Sequence, residues 1–464
     1  LSVQAVVATV VARARAAQAV FAAATQEVVD EAVTALAWSL YQPDHARQLA
    51  ESAVAETGLG NVADKIVKKQ RKTFGTLRDL LRVRSVGVIE DNPGQGIVKI
   101  AKPVGVVAAI TPATNPGATP VNKAMMAIKG RNAIIIAPSP MAWTSTALAV
   151  ALMRAELGRI GLPADLVQVL PKPVSREATN ELMRSVDLVV VTGSQANVRQ
   201  AYASGVPAIG VGVGNVPVIV DETADLDAAA RKIAASKTFD NATSCSSENA
   251  LIIVDAVYDR AIEALGRTGG YLTDQVESQR IRERLWQDGK LDRSLVARDA
   301  ALLVRRFELG KGSEKARFFL VPAELIGKDE PLSGEKLSLV LTVYRARDFD
   351  QSVVLANRLL LHQGRGHSVG IHTRDADRPR RLAAAVDAVR VLVNQAHTFG
   401  NGGSFDNGLN FTLSMGCGTW GGNSISENLS WHHFVNITHL VSPIPEDRPS
   451  EEDLFGAYWA RNGR

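Results

Sequence analysis

Cysteine is scarce in this chain: 464 residues contain two, Cys245 and Cys417. Two thiols build no disulfide framework, so the protein is expected to rest on an apolar core in a reducing, cytoplasmic compartment. Charge of one sign is also missing. Lys plus Arg number 52 and Asp plus Glu 48, a formal net charge of +4 over the whole length. No basic stripe extends beyond Lys68–Arg71 (KKQR), which argues against a nucleic-acid partner. Apolar runs fall short of the roughly 18 residues of a spanning helix, so no membrane partner is expected. The opening Leu1–Ala12 is apolar, but Arg13 and Arg15 follow it without a clear cleavage site. A secretory signal is not expected, and the lack of an initiating Met points to a start that is missing or processed. What remains is 46% hydrophobic and 22% charged, the balance of a folded chain of two or three domains.

The first 85 residues read as helix, with a break at Gly58-Leu-Gly60. The β-branched runs Val86–Glu90 and Ile97–Ala101 flank a turn-rich hexapeptide and predict a hairpin. From Val104 short apolar runs alternate with helical stretches. Val104–Ile110, Ala133–Ala137, Leu166–Leu170 and Asp187–Thr192 are expected strands, with Pro120–Lys129 and Thr146–Glu156 as helices. Thr119 is the expected N-cap of the first of these. A second block has the expected strands Ala250–Val254, Ser338–Val343, Ser368–His372 and Arg390–Val393. Uniformly apolar strands separated by helices predict parallel sheets covered on both faces.

Cys245 lies in a segment of small polar residues, Phe239–Asn249, just before an expected strand. A thiol there is open to backbone amides, as a nucleophile requires; a small buried loop cysteine is the alternative. Cys417, between Gly416 and Gly418, is its rival and reads as close backbone packing. His362, His367, His372 and His397 fall in the last third of the chain, and spacing alone sets none of them beside Cys245. Neither His432-His433 nor any cysteine pair has zinc-ligand spacing, so no metal is expected. Thr192-Gly-Ser194 follows an apolar run and precedes a helical stretch, a context suited to phosphate. Gly210, Gly212 and Gly214 interrupt the strand-like Val206–Val220 without completing a dinucleotide fingerprint.

Taken in order, Ile110–Pro116 (ITPATNP), Val191–Ser194, Ala208–Asp221, the Cys245 segment, Glu335–Ser338 (EKLS) and Gly416–Asn428 (GCGTWGGNSISEN) resemble the CoA-acylating branch of the aldehyde dehydrogenase superfamily. The resemblance implies an α/β fold of two doubly wound domains with a β-hairpin oligomerisation arm. The NAD(P)-binding domain is expected at 1–85 and 104–221, the catalytic domain at 222–424, and the arm and C-terminal segment at 86–103 and 425–464. It implies that Cys245 attacks an aldehyde, that Asn115 and the Cys245 N–H receive the oxyanion, and that Glu335 holds the nicotinamide ribose. Thr111, Pro112, Ser139, Gly193, Ser194, Gly212, Gly214 and Leu337 complete the expected cofactor site.

Hydrolytic relatives carry a glutamate general base in the segment matching Gly210–Pro217. No acidic residue lies between Pro207 and Asp221 here, so coenzyme A is the expected acceptor of the acyl group; Glu248 is the alternative base that would favour water. Ile136–Met141 has neither a Glu to repel a 2′-phosphate nor an Arg to attract one, leaving NAD and NADP both open. Arg365 and the stretch Asn394–Ser404 depart from aldehyde–alcohol dehydrogenases, and with the residues around Cys245 they are similar to acylating sulfoacetaldehyde dehydrogenases. Arg365, His397, Thr398 and Asn401 are the expected sulfonate donors, and His367 is the expected base toward CoA. Acetaldehyde and succinic semialdehyde are the alternative substrates, and a homodimer or homotetramer is the expected assembly.

Overall fold

The computed structural model describes residues 2–464. Four helices come first: Val3–Phe21, Gln26–Tyr41, Pro43–Thr57 and Val62–Leu81. Local devices start them. Ser2, Thr25 and Asn61 each accept a hydrogen bond from the N–H three residues on, and Pro43 opens the third helix. Gly58 closes that helix at φ +66°, a conformation that a Cβ would strain.

These helices pack on a five-stranded parallel sheet ordered Val167–Val169, Ala133–Pro138, Val106–Thr111, Leu188–Thr192, Ala208–Val211. Counted along the chain, the order is third, second, first, fourth, fifth. The switch point therefore lies at the carboxyl ends of Val106–Thr111 and Leu188–Thr192, where doubly wound folds open a crevice. Every residue of Val106–Thr111 and Ala133–Pro138 is buried, which accounts for their apolar runs. The helix expected from Pro120 begins at Ala118 and has Gly117, not Thr119, as N-cap. All twelve of its residues are buried, so packing on every side sets its start in place of a side-chain cap.

The second sheet is also parallel and has seven strands, in the order Gly270–Leu272, Phe318–Pro322, Val340–Ala346, Glu248–Val254, Val216–Val220, Gly366–His372, Ala388–Val393. Val216–Val220 corrects the expected domain boundary. It pairs with Glu248–Val254 and Gly366–His372, so the segment after Val211 belongs to the second sheet. The Gly-interrupted run Val206–Val220 is thus two strands in two sheets, joined by a crossing at 212–215. The strands Gly270–Leu272 and Phe318–Pro322 were not expected.

The hairpin forms from Gly87–Asn92 and Ile97–Pro103, and Val435–Val441 adds a third antiparallel strand to it. Six of the seven residues in this last strand are exposed, among them Leu440 and Val441. No helix among the described residues is long and apolar enough to cross a membrane.

Candidate active site

Where the chain crosses between sheets, loops from both domains enclose a cavity of about 280 Å³. Cys245, Asn115, Glu335, Leu337, Gly212 and Thr398 line it, together with Pro112, Thr192, Gly193 and Ser194. Those last four residues also line a crevice of about 600 Å³ at the switch point, with Thr111 and Ser139 on its wall. The two spaces therefore share a wall, one holding the thiol and the other lying where doubly wound sheets receive dinucleotides.

Cys245 is presented by an unusual turn. Asp240, Asn241 and Ala242 have φ of +50°, +52° and +61°, and left-handed backbone costs about 1–2 kcal/mol per non-glycine residue. Buried polar bonds hold it. The Asp240 carboxylate accepts from Lys68 Nζ at 2.6 Å, Lys65 Nζ at 3.0 Å and the Asn61 N–H at 3.0 Å. Its own N–H donates to Asp64 at 2.8 Å. Gly214 backs the nucleophile: a Cβ there would lie 2.1 Å from the Cys245 carbonyl oxygen, so only glycine permits this approach. Burial pushes the Cys245 thiol up to about 12, with Glu335 and Cys417 adding to it and Arg390 and Ser246 opposing.

Asn115 is oriented by Lys68, whose ammonium donates to Oδ1 at 3.0 Å. An ammonium only donates, so the oxygen must face it and the NH₂ must face away. That NH₂ has one long contact, 3.5 Å to Thr114 Oγ1, and its hydrogens remain free to bind an oxyanion at the cavity wall.

Glu335 is the one carboxylate lining the thiol cavity among the described residues. Burial pushes it up to about 8, against the pull of the Gly214 N–H, Lys336 and Lys237. Its Oε1 is shielded from water and lacks a partner, and so is Thr111 Oγ1 in the crevice. Orphaned acceptors of this kind fit the hydroxyls of a nucleotide. Glu248, the alternative base, is elsewhere: it is fully buried, accepts from Ser236 Oγ at 2.6 Å and from the His397 N–H at 3.1 Å, and does not line the cavity. The crossing at 212–215 brings no carboxylate.

Three of the four expected sulfonate donors are not at the wall. Arg365 binds Asp387 at 2.9 Å on the exposed side of the sheet, because that carboxylate lies beside its strand. His397 is buried with Nε2 2.9 Å from Ser368 Oγ, and burial drives its pKa to about 3, leaving the ring neutral. Asn401 is fully buried and holds up the nucleophile loop: Nδ2 donates to Ser246 Oγ at 3.0 Å, and Oδ1 accepts from Arg390 at 3.0 Å. Thr398 does reach the wall, and its Oγ1 is buried without a partner. His367 shares Ser368 Oγ with His397, at 2.8 Å from Nδ1. Burial holds its pKa well below the usual range, and it lies in the strand Gly366–His372, outside the residues that line the cavity. Cys417 is buried, with Sγ 3.6 Å from the Met415 carbonyl oxygen.

The structure also assembles groups that the sequence left apart. Lys65, Lys68, Lys69 and Lys72 are all buried on the helix Val62–Leu81, facing the site. Their spacing of three, one and three residues is that of a single helical face, a pattern visible in the sequence had burial been suspected. Glu427, His432 and His433 converge as well, with ligand-type atoms within 4.8 Å of one another, although the histidine pair has no zinc-ligand spacing. Glu427 Oε1 already bonds both rings, at 3.0 and 3.1 Å, and two of the three residues are exposed.

Removing the amide donor should test this geometry. Asn115→Ala is expected to lower kcat by about 10²–10³ with little change in KM, the usual loss for one oxyanion donor. Equal kcat in the two proteins, measured by steady-state kinetics, would remove Asn115 from that role.

Comparison with known proteins gives the family. The model of the aldehyde dehydrogenase family matches residues 2–272. The chain is similar to a sulfoacetaldehyde dehydrogenase (acylating) of Cupriavidus necator, 54% identical over 99% of this chain and 93% of the relative. The crystal structure of an acetylating aldehyde dehydrogenase from Geobacillus thermoglucosidasius superposes with a TM-score of 0.92 at 34% identity, over 97% of this chain and 98% of that one. A propionaldehyde dehydrogenase from Rhodopseudomonas palustris, solved with bound CoA and an acylated cysteine, gives a TM-score of 0.83 at 25% identity over 94% of this chain and 97% of that one. The chain belongs to the aldehyde dehydrogenase family, in its acylating branch, and is an oxidoreductase acting on an aldehyde group.

Proposed function

We propose that this protein oxidises sulfoacetaldehyde to sulfoacetyl-CoA with NAD(P)⁺ and coenzyme A. Cys245 Sγ bonds to the aldehyde carbon, and its proton leaves for solvent. The carbonyl oxygen becomes an oxyanion held by the Asn115 NH₂ and the Cys245 N–H. Nicotinamide, when bound, supplies the hydride acceptor for that carbon, and a thioester then remains on Cys245. Glu335 and Thr111 are the residues that would hold the dinucleotide, through the two oxygens that lack partners. The CoA thiolate then attacks the thioester carbon, the bond to Cys245 Sγ breaks, and the enzyme thiol is regenerated.

The observation that carries the acylating step is the stretch of cavity wall formed by the crossing at 212–215. Gly212 and Val213 face the cavity there, where a hydrolytic enzyme needs a carboxylate to activate water. Without one, a sulfur nucleophile outcompetes water at the thioester. The full-length likeness to an acylating sulfoacetaldehyde dehydrogenase supports the choice of aldehyde. Arg176 and Arg293 line the crevice with Ser139. Neither is paired with a carboxylate among the described residues, and two free guanidinium groups favour the 2′-phosphate of NADP.

Initial rates with sulfoacetaldehyde, acetaldehyde and succinic semialdehyde, with and without CoA, test this reading. Reduction of NAD(P)⁺ is expected to be fastest with sulfoacetaldehyde and to fall by about tenfold or more without CoA, a barrier difference of about 1.4 kcal/mol. An undiminished rate yielding free acid would establish hydrolysis instead.

We further propose that the arm pairs with a second copy of this chain. Val435–Val441 is an edge strand with Ile437, Leu440 and Val441 exposed, and unpaired apolar edges are covered in stable proteins. Sedimentation of the wild type as a dimer or tetramer, and of Leu440→Pro as a smaller species, is the expected result. A wild-type monomer at micromolar concentration would contradict it.

A further inference from the structure

The helix Val62–Leu81 buries more positive charge beside Cys245 than the surrounding carboxylates neutralise. Lys65 and Lys68 share the single carboxylate of Asp240. Lys72 lines the thiol cavity, and its hydrogen-bond acceptor is a backbone carbonyl, that of Gly402 at 2.7 Å. Arg71 donates to Ser404 Oγ at 2.8 Å and packs near Phe399 and Phe405, with its guanidinium carbon 5.6 and 5.4 Å from the ring centres. Asp406 accepts a hydrogen bond from that same hydroxyl, and the charge of Arg71 helps hold its carboxyl low. Arg71 Nε is buried and has no partner.

These cations converge on one place. A small annex of about 30 Å³ is lined by Lys68, Arg71, Lys72, Asn115, Ser244 and Thr398, with Phe239, Phe399 and Leu413 as its apolar walls. It shares Lys72, Asn115, Ser244 and Thr398 with the thiol cavity, so the two are neighbours across a common wall. One water needs roughly 10–15 Å³ of such space, so the annex has room for about two or three oxygen atoms. Thr398 is 7% exposed and its Oγ1 has no partner. Burying cations without counter-charge costs several kcal/mol each, and an anion in the annex would recover that cost. Burial, with Arg71 and Lys68 beside it, holds Lys72 down to about 7, and an anion in the annex would favour its protonated form.

We infer that Arg71, Lys72 and Thr398 form the recognition site for an anionic group carried by the aldehyde, one methylene from the reacting carbonyl. This rests on the substrate reading above and gives the sulfonate its residues: two cations and a hydroxyl from the annex, in place of Arg365, His397 and Asn401. A neutral aldehyde leaves these charges unpaired, so the site selects against it as well as for the anion.

The test uses the full-length enzyme and the variants Arg71→Met, Lys72→Met and Lys72→Arg. The readout is the ratio of kcat/KM for sulfoacetaldehyde to that for propanal, a neutral aldehyde of similar size. Each Met variant is expected to lower the ratio by about 30-fold, within the range for one lost charged hydrogen bond, chiefly through KM for the sulfonate; Lys72→Arg should recover most of it. A second readout follows alkylation of Cys245 by iodoacetamide with ethanesulfonate present. Protection in the wild type and its loss in both Met variants are expected. An unchanged kinetic ratio in the Met variants overturns this site and leaves the substrate assignment standing. If the wild type does not favour sulfoacetaldehyde over propanal, the substrate assignment fails. The ethanesulfonate result then decides the site: protection lost in the variants keeps it as an anion site, with succinic semialdehyde the next substrate to assay, and no protection in the wild type overturns it.

Discussion

The active site depends on one buried carboxylate and the two ammonium groups that share it. Asp240, with Lys65 and Lys68, joins a helix of the first domain to the turn that presents the nucleophile in the second. Burial alone would push the Asp240 carboxyl up, but Lys68 and Lys65 outweigh it and hold it below its ordinary range. Its contribution to stability is therefore present above the usual carboxylate range and is lost as pH falls through the folded value. The same contact keeps three consecutive left-handed residues in place and, through Lys68, turns the Asn115 amide toward the thiol cavity. Removing one member would strand the others; a broken buried pair costs about 3–5 kcal/mol.

On the proposed reading, this arrangement makes nucleophile, oxyanion donor and substrate charge parts of one electrostatic design. Lys68 faces both Asn115 and the annex, and Lys72, one helical turn on, faces the cavity itself. A further buried cation, Arg390, reaches Ser246 through Asn401 and donates to the carbonyls of His367 and Gly416 and to Asn428 Oδ1. The crossing at 212–215 adds glycine and valine to the cavity wall and no carboxylate of its own. Lys68 and Lys72 thus set positive charge beside the cavity, and Glu335, the one carboxylate lining it among the described residues, is the residue proposed to hold the cofactor.

Much of the fold was legible because buried parallel strands must be apolar throughout: Val106–Thr111 and Ala133–Pro138 announce themselves. The expected boundary at 221 misplaces Val216–Val220 because its composition is that of any buried strand, and its partner strands Glu248–Val254 and Gly366–His372 are set by the fold rather than by sequence. Thr119 misled for a similar reason, since a buried helix start needs no side-chain cap. At the site, Cys245, Asn115 and Glu335 were accessible through motif resemblance, and the structure brings them to one cavity. The anion donors were not. Arg365 has the right chemistry but finds Asp387 first, whereas Lys68–Arg71 looks like a solvated charge run until the helix is seen to bury Lys68 and Lys69 and to half-bury Arg71.

In the proposed reaction the acyl group rests on Cys245 until a second thiol removes it. Mass spectrometry of the intact protein mixed with sulfoacetaldehyde and oxidised nicotinamide, with CoA withheld, measures this directly. A sulfoacetyl adduct mapped to the peptide containing Cys245, and discharged as sulfoacetyl-CoA when CoA is added, is the predicted result. An unmodified Cys245 peptide while NAD(P)H accumulates, or an adduct that hydrolyses as fast without CoA as with it, would contradict the account.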